Sequence, residues 1–526
     1  MKLTSFLSKL TASVISCTLF CSCIHASAFA ANETEQTELP SRFDLRDENA
    51  MTSVKHQYYG SCVIFSAIAA IESNMIKQGM ADSSIDISEE HYSWFTFGKG
   101  SPDDPNDPLS GDRTNLGTEG YQRATDFWKM IGTLACWTGV VPASLIPNVE
   151  ELGPIDESLR YASIAHLQNA LQFDPEDRDD IKKHLMEKGA MQLSYFSIGK
   201  PEHYSRYGGY YQTDWDYKSE NNPDNLEGGG HAVCLCGWDD NFPKENFIET
   251  PPGDGAWICK NSWGPNTSAG INGYTYISYY DKSVHDIIQY NMEPTDNYDG
   301  IYQLCGGTFA AYTVRNKGWS YANIYTAQKD ENLTDVSILT HEPDLPYEIS
   351  IYALNEDYKN PRDGELLTQI SGTEHYAGYH TYPLANACKV SSGQVFSAVV
   401  KTGITPSTTI FFDRNPDNSG TSYYMIYNEQ SETGWTDSTT VANHGNTFVK
   451  VFTKDNIDEN VKGDCNGDGS FNIADIVTFQ NFLLGRITNM TKWKNADICD
   501  DECLDAYDIA LMRKMLIEKS FSLNNN

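Results

Sequence analysis

Val54-Lys55-His56-Gln57-Tyr58-Tyr59-Gly60-Ser61-Cys62 runs directly into Val63-Ile64-Phe65-Ser66-Ala67-Ile68-Ala69-Ala70-Ile71, so a polar, glycine-bearing loop gives way at a cysteine to an apolar run. Ile64, Ile68, Ile71 and Met75 recur with the spacing of one helical face, and Gly79 supplies a stop. The spacing predicts a helix with Cys62 in its first turn, where the helix dipole favours an anion. A thiol attacks only as thiolate, and a free cysteine ionises near ~8.5. A helix start and an imidazolium neighbour are therefore what this sulfur needs to act as a nucleophile at neutral pH.

Two further segments complete that chemistry. Gly228-Gly229-Gly230-His231-Ala232-Val233 offers a histidine reached through three glycines, and Lys260-Asn261-Ser262-Trp263-Gly264 offers an amide followed by an indole. In such a set His231 is the base, and Asn261 holds its second ring nitrogen and fixes the tautomer. Trp263 then shields that hydrogen bond from water. Around these segments helix and strand patterns alternate. A helix is predicted with Asp174 as N-cap, Pro175 at its first position and Gly189 at its end. Strands are predicted at Met191-Gln192-Leu193-Ser194-Tyr195-Phe196, Ala232-Val233-Cys234-Leu235-Cys236 and Ala256-Trp257-Ile258-Cys259. The fold class read for this region is α+β.

Taken in this order, the three segments resemble the papain-like cysteine peptidases over roughly residues 42–280. Asp44-Leu45-Arg46 is similar to that family's mature start, and Gly237-Trp238-Asp239-Asp240 and Asn272-Gly273-Tyr274 to its flanking strands and turns. The resemblance implies a two-lobed catalytic domain, a protein or peptide substrate, and catalysis by Cys62, His231 and Asn261 without a cofactor. It also implies an oxyanion hole made from the Cys62 N–H and the Gln57 side chain. The loop departs from the family's pattern. Gln57 to Cys62 is one residue shorter, Tyr59 stands near a missing cysteine, and Val63 replaces a tryptophan. The alternative reading is a catalytically inactive domain that captures peptide or carbohydrate. Only residues 31–41 separate the predicted signal from the mature-like start, too few for the long inhibitory propeptide common in the family.

From about residue 295 to 454 the pattern changes to short strands such as Glu348-Ile349-Ser350-Ile351-Tyr352, Val395–Val400, Tyr423–Tyr427 and Phe448–Phe452, punctuated by Gly, Asn, Pro and Ser. This predicts a β-sandwich, and it resembles the lectin-like domain attached to some bacterial members of the same peptidase family. It is read as a structural or positioning domain, with carbohydrate binding as the alternative, because tyrosine is common in β-proteins anyway.

After a polar linker at 455–462, residues 463–519 carry a loop-and-helix pattern twice. Asp464, Asn466, Asp468, Asn472 and Asp475 fall at positions 1, 3, 5, 9 and 12 of a calcium loop, with Gly469 at the turn and Ser470 at position 7. Thirty-three residues on, Asp497, Asp501, Asp505 and Asp508 repeat positions 1, 5, 9 and 12, with Cys503 at position 7. Here Cys499 takes position 3 and Glu502 the glycine position, so this loop is expected to be the weaker one, a neutral thiol being a poor ligand for a hard cation. An aspartate at position 12 and a single following helix resemble dockerin modules. That resemblance implies a small all-α domain, bound Ca2+ and a cohesin partner on a scaffolding protein such as a cellulosome's. Cys465 paired with Cys499 or Cys503 is one option for the thiols.

Composition sets the outer limits. A chain of 526 residues exceeds one hydrophobic core. Its first thirty residues hold Lys2 and Lys9, no acids, and a small apolar run ending Ala28-Phe29-Ala30, which predicts a secretory signal cleaved after Ala30. Removal of that segment leaves 36 basic against 72 acidic side chains, a formal charge of −36. Nucleic acid and anionic membranes are poor partners for such a surface. No later stretch is apolar enough for a membrane span. Of thirteen cysteines, Cys17, Cys21 and Cys23 lie in the signal and ten remain, scattered rather than arranged as a disulfide scaffold.

Overall fold

The structure, a computed structural model, describes residues 39–98, 127–150, 154–306 apart from 220–221 and 224–226, 309–455 apart from 414–419 and 443, and 461–523 apart from 468–470, 488–489, 491, 500 and 502. The predicted signal, most of the linker, Asp468 and Ser470 lie outside these residues.

The first helix, α1 (Cys62–Lys77), begins at Cys62 itself. Ile64, Ile68, Ile71 and Met75 are buried as the spacing requires, and the chain leaves the helix through Gly79 at φ +72°. Two short helices follow, α2 (Glu89–Ser93) and α3 (Phe127–Ala135), and then α4 (Arg178–Lys188). The start of α4 corrects the sequence reading. Its N-cap position is Asp177, and Asp174 instead closes the preceding turn by accepting the Glu176 N–H at 2.9 Å.

Eight strands accompany these helices among the described residues: β1 (Arg42–Asp44), β2 (His166–Phe173), β3 (Met191–Ser197), β4 (Gly209–Tyr210), β5 (Gly229–Asp239), β6 (Ala256–Lys260), β7 (Tyr274–Ser278) and β8 (His285–Glu293), of which β3, β5 and β8 pack on α1. Twelve more follow: β9 (Gly300–Tyr302), β10 (Phe309–Val314), β11 (Gly318–Thr326), β12 (Glu331–Thr340), β13 (Leu345–Leu354), β14 (Gly364–Glu374), β15 (Ala377–Val390), β16 (Val395–Thr402), β17 (Thr408–Asp413), β18 (Ser422–Tyr427), β19 (Thr436–Asp437) and β20 (Val449–Asp455).

One sheet runs through both groups in the order β4-β7-β6-β5-β3-β8-β2-β15-β12-β20-β9, with β1 paired to β5. A second, six-stranded sheet, β14-β13-β16-β11-β18-β19, faces its distal part. Trp319, Ile349, Ile351, Phe396 and Val400 from the second sheet meet Leu333, Val336, Ile338, Val449 and Val451 from the first, which gives the predicted sandwich its core.

The splice between the two groups lies at β2 and β15, where Ala377, Gly378 and Tyr379 pair with Gln172, Leu171 and Ala170. Gly378 sits at φ +139°, and a Cβ there would lie 1.9 Å from the Ala170 carbonyl oxygen, so only glycine lets the strands close. Thr381 adds hydrogen bonds to Asn169 and to the Gln168 carbonyl. This continuous sheet was not expected from the sequence.

The C-terminal region contains α5 (Ile473–Leu483), α6 (Trp493–Ala496) and α7 (Ala506–Leu523), packed on Cys465, Phe471, Phe479, Ile509 and Met512. Among the described residues no helix is long and apolar enough to cross a membrane.

Candidate active site and the dockerin loops

The three sequence segments meet. Cys62 is half-buried at the start of α1, where its sulfur is within reach of the Ala232 and Val63 N–H groups. His231 lies near the start of β5, which pairs with β3 so that Tyr195 stands opposite it, ring edge to face at 5.7 Å. Asn261 follows the last residue of β6. Its Oδ1 is 3.0 Å from His231 Nε2 and also accepts the Ser262 N–H at 2.8 Å. That leaves Nδ1 as the other ring nitrogen. Trp263 stacks on the imidazole, centroids 4.4 Å apart and planes at 20°. His231 and Asn261 are 6% and 2% exposed.

Burial governs the resting charges. It draws His231 down to about 4, against the raising influence of Asn261. It pushes the Cys62 thiol up, against the lowering influence of the neighbouring backbone N–H groups. Either charge alone is disfavoured in this site, whereas moving the thiol proton to the imidazole creates both together and each screens the other's desolvation cost.

Gln57 is beside the other three but already engaged. Its backbone N–H donates to Ser262 O at 2.8 Å, its Oε1 accepts the Ser262 hydroxyl at 2.5 Å, and its Nε2 donates to Tyr59 O at 2.7 Å. The shortened loop thus turns one amide hydrogen back on itself and leaves one.

Sequence reading missed a buried charge network beneath these residues. Lys55 Nζ pairs with Glu72 at 2.9 Å, Asp86 at 2.7 Å and Glu89 at 2.7 Å. Glu72, wholly buried, also accepts from Thr52 Oγ1 at 2.5 Å and from the Ile87 N–H at 2.9 Å, and Lys260 Nζ donates to Thr52 Oγ1 at 2.9 Å. Burial works against the Lys55 ammonium, and Glu89 and Glu72 more than offset it. Burial raises Glu89 to about 7. Because Lys55 O also accepts the Gly264 N–H at 3.0 Å, the network ties the loop before Cys62 to the turn after Asn261.

In the C-terminal region both loops fold into the same cradle. Asp475 accepts the Cys465, Asn466 and Asn472 N–H groups, Asp464 accepts that of Gly467, and Asn472 with Asp475 caps α5. Asp508 accepts the Ile498, Cys499 and Asp505 N–H groups in matching places. Asp464 and Asp475 are 1% and 0% exposed, and buried carboxylates on one loop fit a hard divalent cation. In the second loop, ligand atoms of Asp497, Cys499 and Asp501 lie within 4.8 Å of one another, and the thiol dilutes the oxygen set. Cys503 is exposed, and the suggested Cys465 pairing is absent, since none of the ten described cysteines is in a disulfide. Cys465 instead donates its S–H to Asp475 O at 3.1 Å.

Residues 39–92 and 154–295 match the papain family of cysteine proteases, 301–453 the lectin-like domain and 462–517 the type I dockerin domain. The chain carries a papain-family cysteine peptidase domain, a lectin-like domain and a type I dockerin domain. Among solved structures it is similar to the cysteine protease and lectin-like domains of Cwp84, a surface-layer-associated protein of Clostridium difficile. That pair is 21% identical with TM-score 0.61, covering 79% of this chain and 89% of the other. Clostridial Cwp84 after propeptide cleavage is likewise 21% identical, with TM-score 0.62 over 79% of this chain and 100% of that one. A search of curated proteins gives no significant match.

Proposed function

We propose that this chain is an exported endopeptidase in which the Cys62 thiolate attacks the scissile carbonyl. His231 Nδ1 takes the thiol proton and returns it to the leaving amine, and water then hydrolyses the thioester with His231 again as base. The observation that carries this reading is the 3.0 Å His231–Asn261 bond roofed by Trp263, which commits Nε2 and leaves Nδ1 for the sulfur. Asn261→Ala is expected to lower kcat by about 10^2-fold, because the ring loses its orientation while the nucleophile remains. A loss below about threefold in steady-state kinetics on an unfolded protein would argue against that role.

The Cys62 N–H and the remaining Gln57 amide hydrogen form the oxyanion site. Gln57→Ala is expected to cost about 10^2-fold in kcat with little change in KM. An unchanged kcat would mean that the bond to Tyr59 has retired this side chain. That bond is also what favours the second reading, a peptide-capturing domain without turnover.

The assignment extends to the other regions. Cleavage after Ala30 releases a chain whose parts are a peptidase at 42–290, a sandwich at 295–454 and a dockerin at 463–519. The surface-layer association of Cwp84 supports a site of action outside the cell. Ca2+ would be held by Asp464, Asn466, Asp468, Ser470, Asn472 and Asp475, and more weakly by the loop containing Asp497, Asp501, Cys503, Asp505 and Asp508. The cation shapes the face offered to a cohesin. Chelation by EGTA is expected to abolish cohesin capture by the full chain while leaving peptidase activity intact, with Asp475→Ala weakening capture roughly tenfold more than Asp505→Ala. Equal capture with and without Ca2+, measured by titration calorimetry, would remove the cation from this account.

A further inference from the structure

The two loops of the C-terminal region are built alike but do not offer the same donors. In the first, Asp464 and Asp475 are buried carboxylates and Asn466 brings an amide oxygen to the third position. The one thiol of that loop, Cys465, is turned to the Asp475 carbonyl oxygen. In the second loop the third position is Cys499, half-buried, and its sulfur and the ligand atoms of Asp497 and Asp501 all lie within 4.8 Å of one another. Cys499 Sγ is 3.8 Å from Asp497 Oδ1, and that oxygen also accepts the Asp501 N–H at 3.1 Å, which draws Asp501 into the group. Asp508 accepts the Ile498 and Cys499 N–H groups at 2.9 and 3.2 Å and so fixes the backbone that carries the sulfur. Asp501 is exposed, which opens the group to an ion from solvent, whereas the exposed Cys503 thiol stands outside it.

This donor set fits calcium poorly. Ca2+ takes about six to eight oxygens, and a sulfur at the third position removes one and offers a hard cation little in exchange. The set suits an ion that bonds thiolate and carboxylate together, through bonds of about 2.0–2.3 Å that nearly span the observed separations. We propose that the second dockerin loop is a site for a thiophilic divalent cation of the zinc class, held by the Cys499 thiolate and the Asp497 and Asp501 carboxylates in preference to Ca2+. Three protein donors leave the fourth position of a tetrahedral ion to water. Binding replaces the S–H bond by a metal–sulfur bond and releases that proton to solvent, one for each ion. The inference rests on reading the first loop as the calcium site, so that one small domain holds two different cations. The weak Ca2+ binding expected of the second loop has the same cause.

The test uses the full chain with Cys62→Ala, which keeps the peptidase thiol out of the reading, reduced and in saturating Ca2+. Titration with Cd2+, followed by the ultraviolet absorption of the cadmium–thiolate bond, is expected to show one ion per chain and none after Cys499→Ser. Cys499→Asp is expected to lower the Zn2+ affinity about tenfold or more and to raise that of the second Ca2+ by a similar factor, both read by titration calorimetry. An unchanged cadmium–thiolate band in Cys499→Ser would overturn the proposal, and so would Ca2+ that displaces Cd2+ at equal concentration. Peptide mapping decides the matter even if a Cys499 variant fails to fold, because bound Cd2+ is expected to protect Cys499 from alkylation and to leave Cys503 reactive. Alkylation of Cys499 at the same rate with and without Cd2+ would also overturn it. A chain that shows the Cd2+ band but binds no Ca2+ would refute the reading of the first loop and leave this one standing.

Discussion

Cys62→Ala is expected to lower kcat on an unstructured protein substrate by about 10^5-fold or more, to the level left by binding and the oxyanion site alone. The sulfur supplies the bond that divides amide hydrolysis into two easier steps, and no other described thiol is placed to replace it. Cys234, Cys236 and Cys259 are buried in β5 and β6, where burial raises each thiol far above the range of a nucleophile. His231→Ala is expected to cost nearly as much, and the double variant no more than the worse single one, because the two act as a unit. Additive losses would show that Cys62 and His231 work independently, which the shared proton forbids.

The second large effect is on stability. Glu72→Ala is expected to destabilise the peptidase domain by about 3–5 kcal/mol, the penalty for breaking a buried ion pair from one side. Removing that carboxylate leaves the Ile87 N–H and Thr52 Oγ1 without their acceptor and strips Lys55 of one of its three anions. Lys260, 5% exposed and already disfavoured as an ammonium by burial, loses the support that Glu72 gives its charge. Scanning calorimetry of the full chain reads the shift in the peptidase transition. A change below about 1 kcal/mol would mean that water reaches the network and screens it. Because Lys260 precedes Asn261, a fall in kcat below the unfolding temperature is expected as well.

Much of the site was legible because its chemistry is local. The helix at Cys62 follows from Ile64, Ile68, Ile71 and Met75, and the Gly228–Gly230 and Asn261–Trp263 segments are recognisable words. Asp174-Pro175 misled because an aspartate before proline serves equally as a turn or an N-cap, and here its side chain caps the turn at Glu176. The buried network left a faint trace. Glu72 is four residues after Ile68 on the apolar face, a charge where the helix pattern calls for a hydrophobe, and Lys260 ends an apolar strand. Neither position names its partners, which come from α1, α2 and the loop at Thr52. The splice of β2 to β15 joins residues about two hundred positions apart, and period-two alternation carries no information on which strand is the neighbour.

The central claim is that one thiol among ten is activated by His231. Incubating the full chain at neutral pH with a peptidyl epoxide and mapping the adduct by mass spectrometry tests it most directly. The expected result is a single adduct on Cys62, formed quickly in the native chain and lost in His231→Ala. Labelling of Cys62 at the rate of a simple thiol, unaffected by His231→Ala, would contradict it.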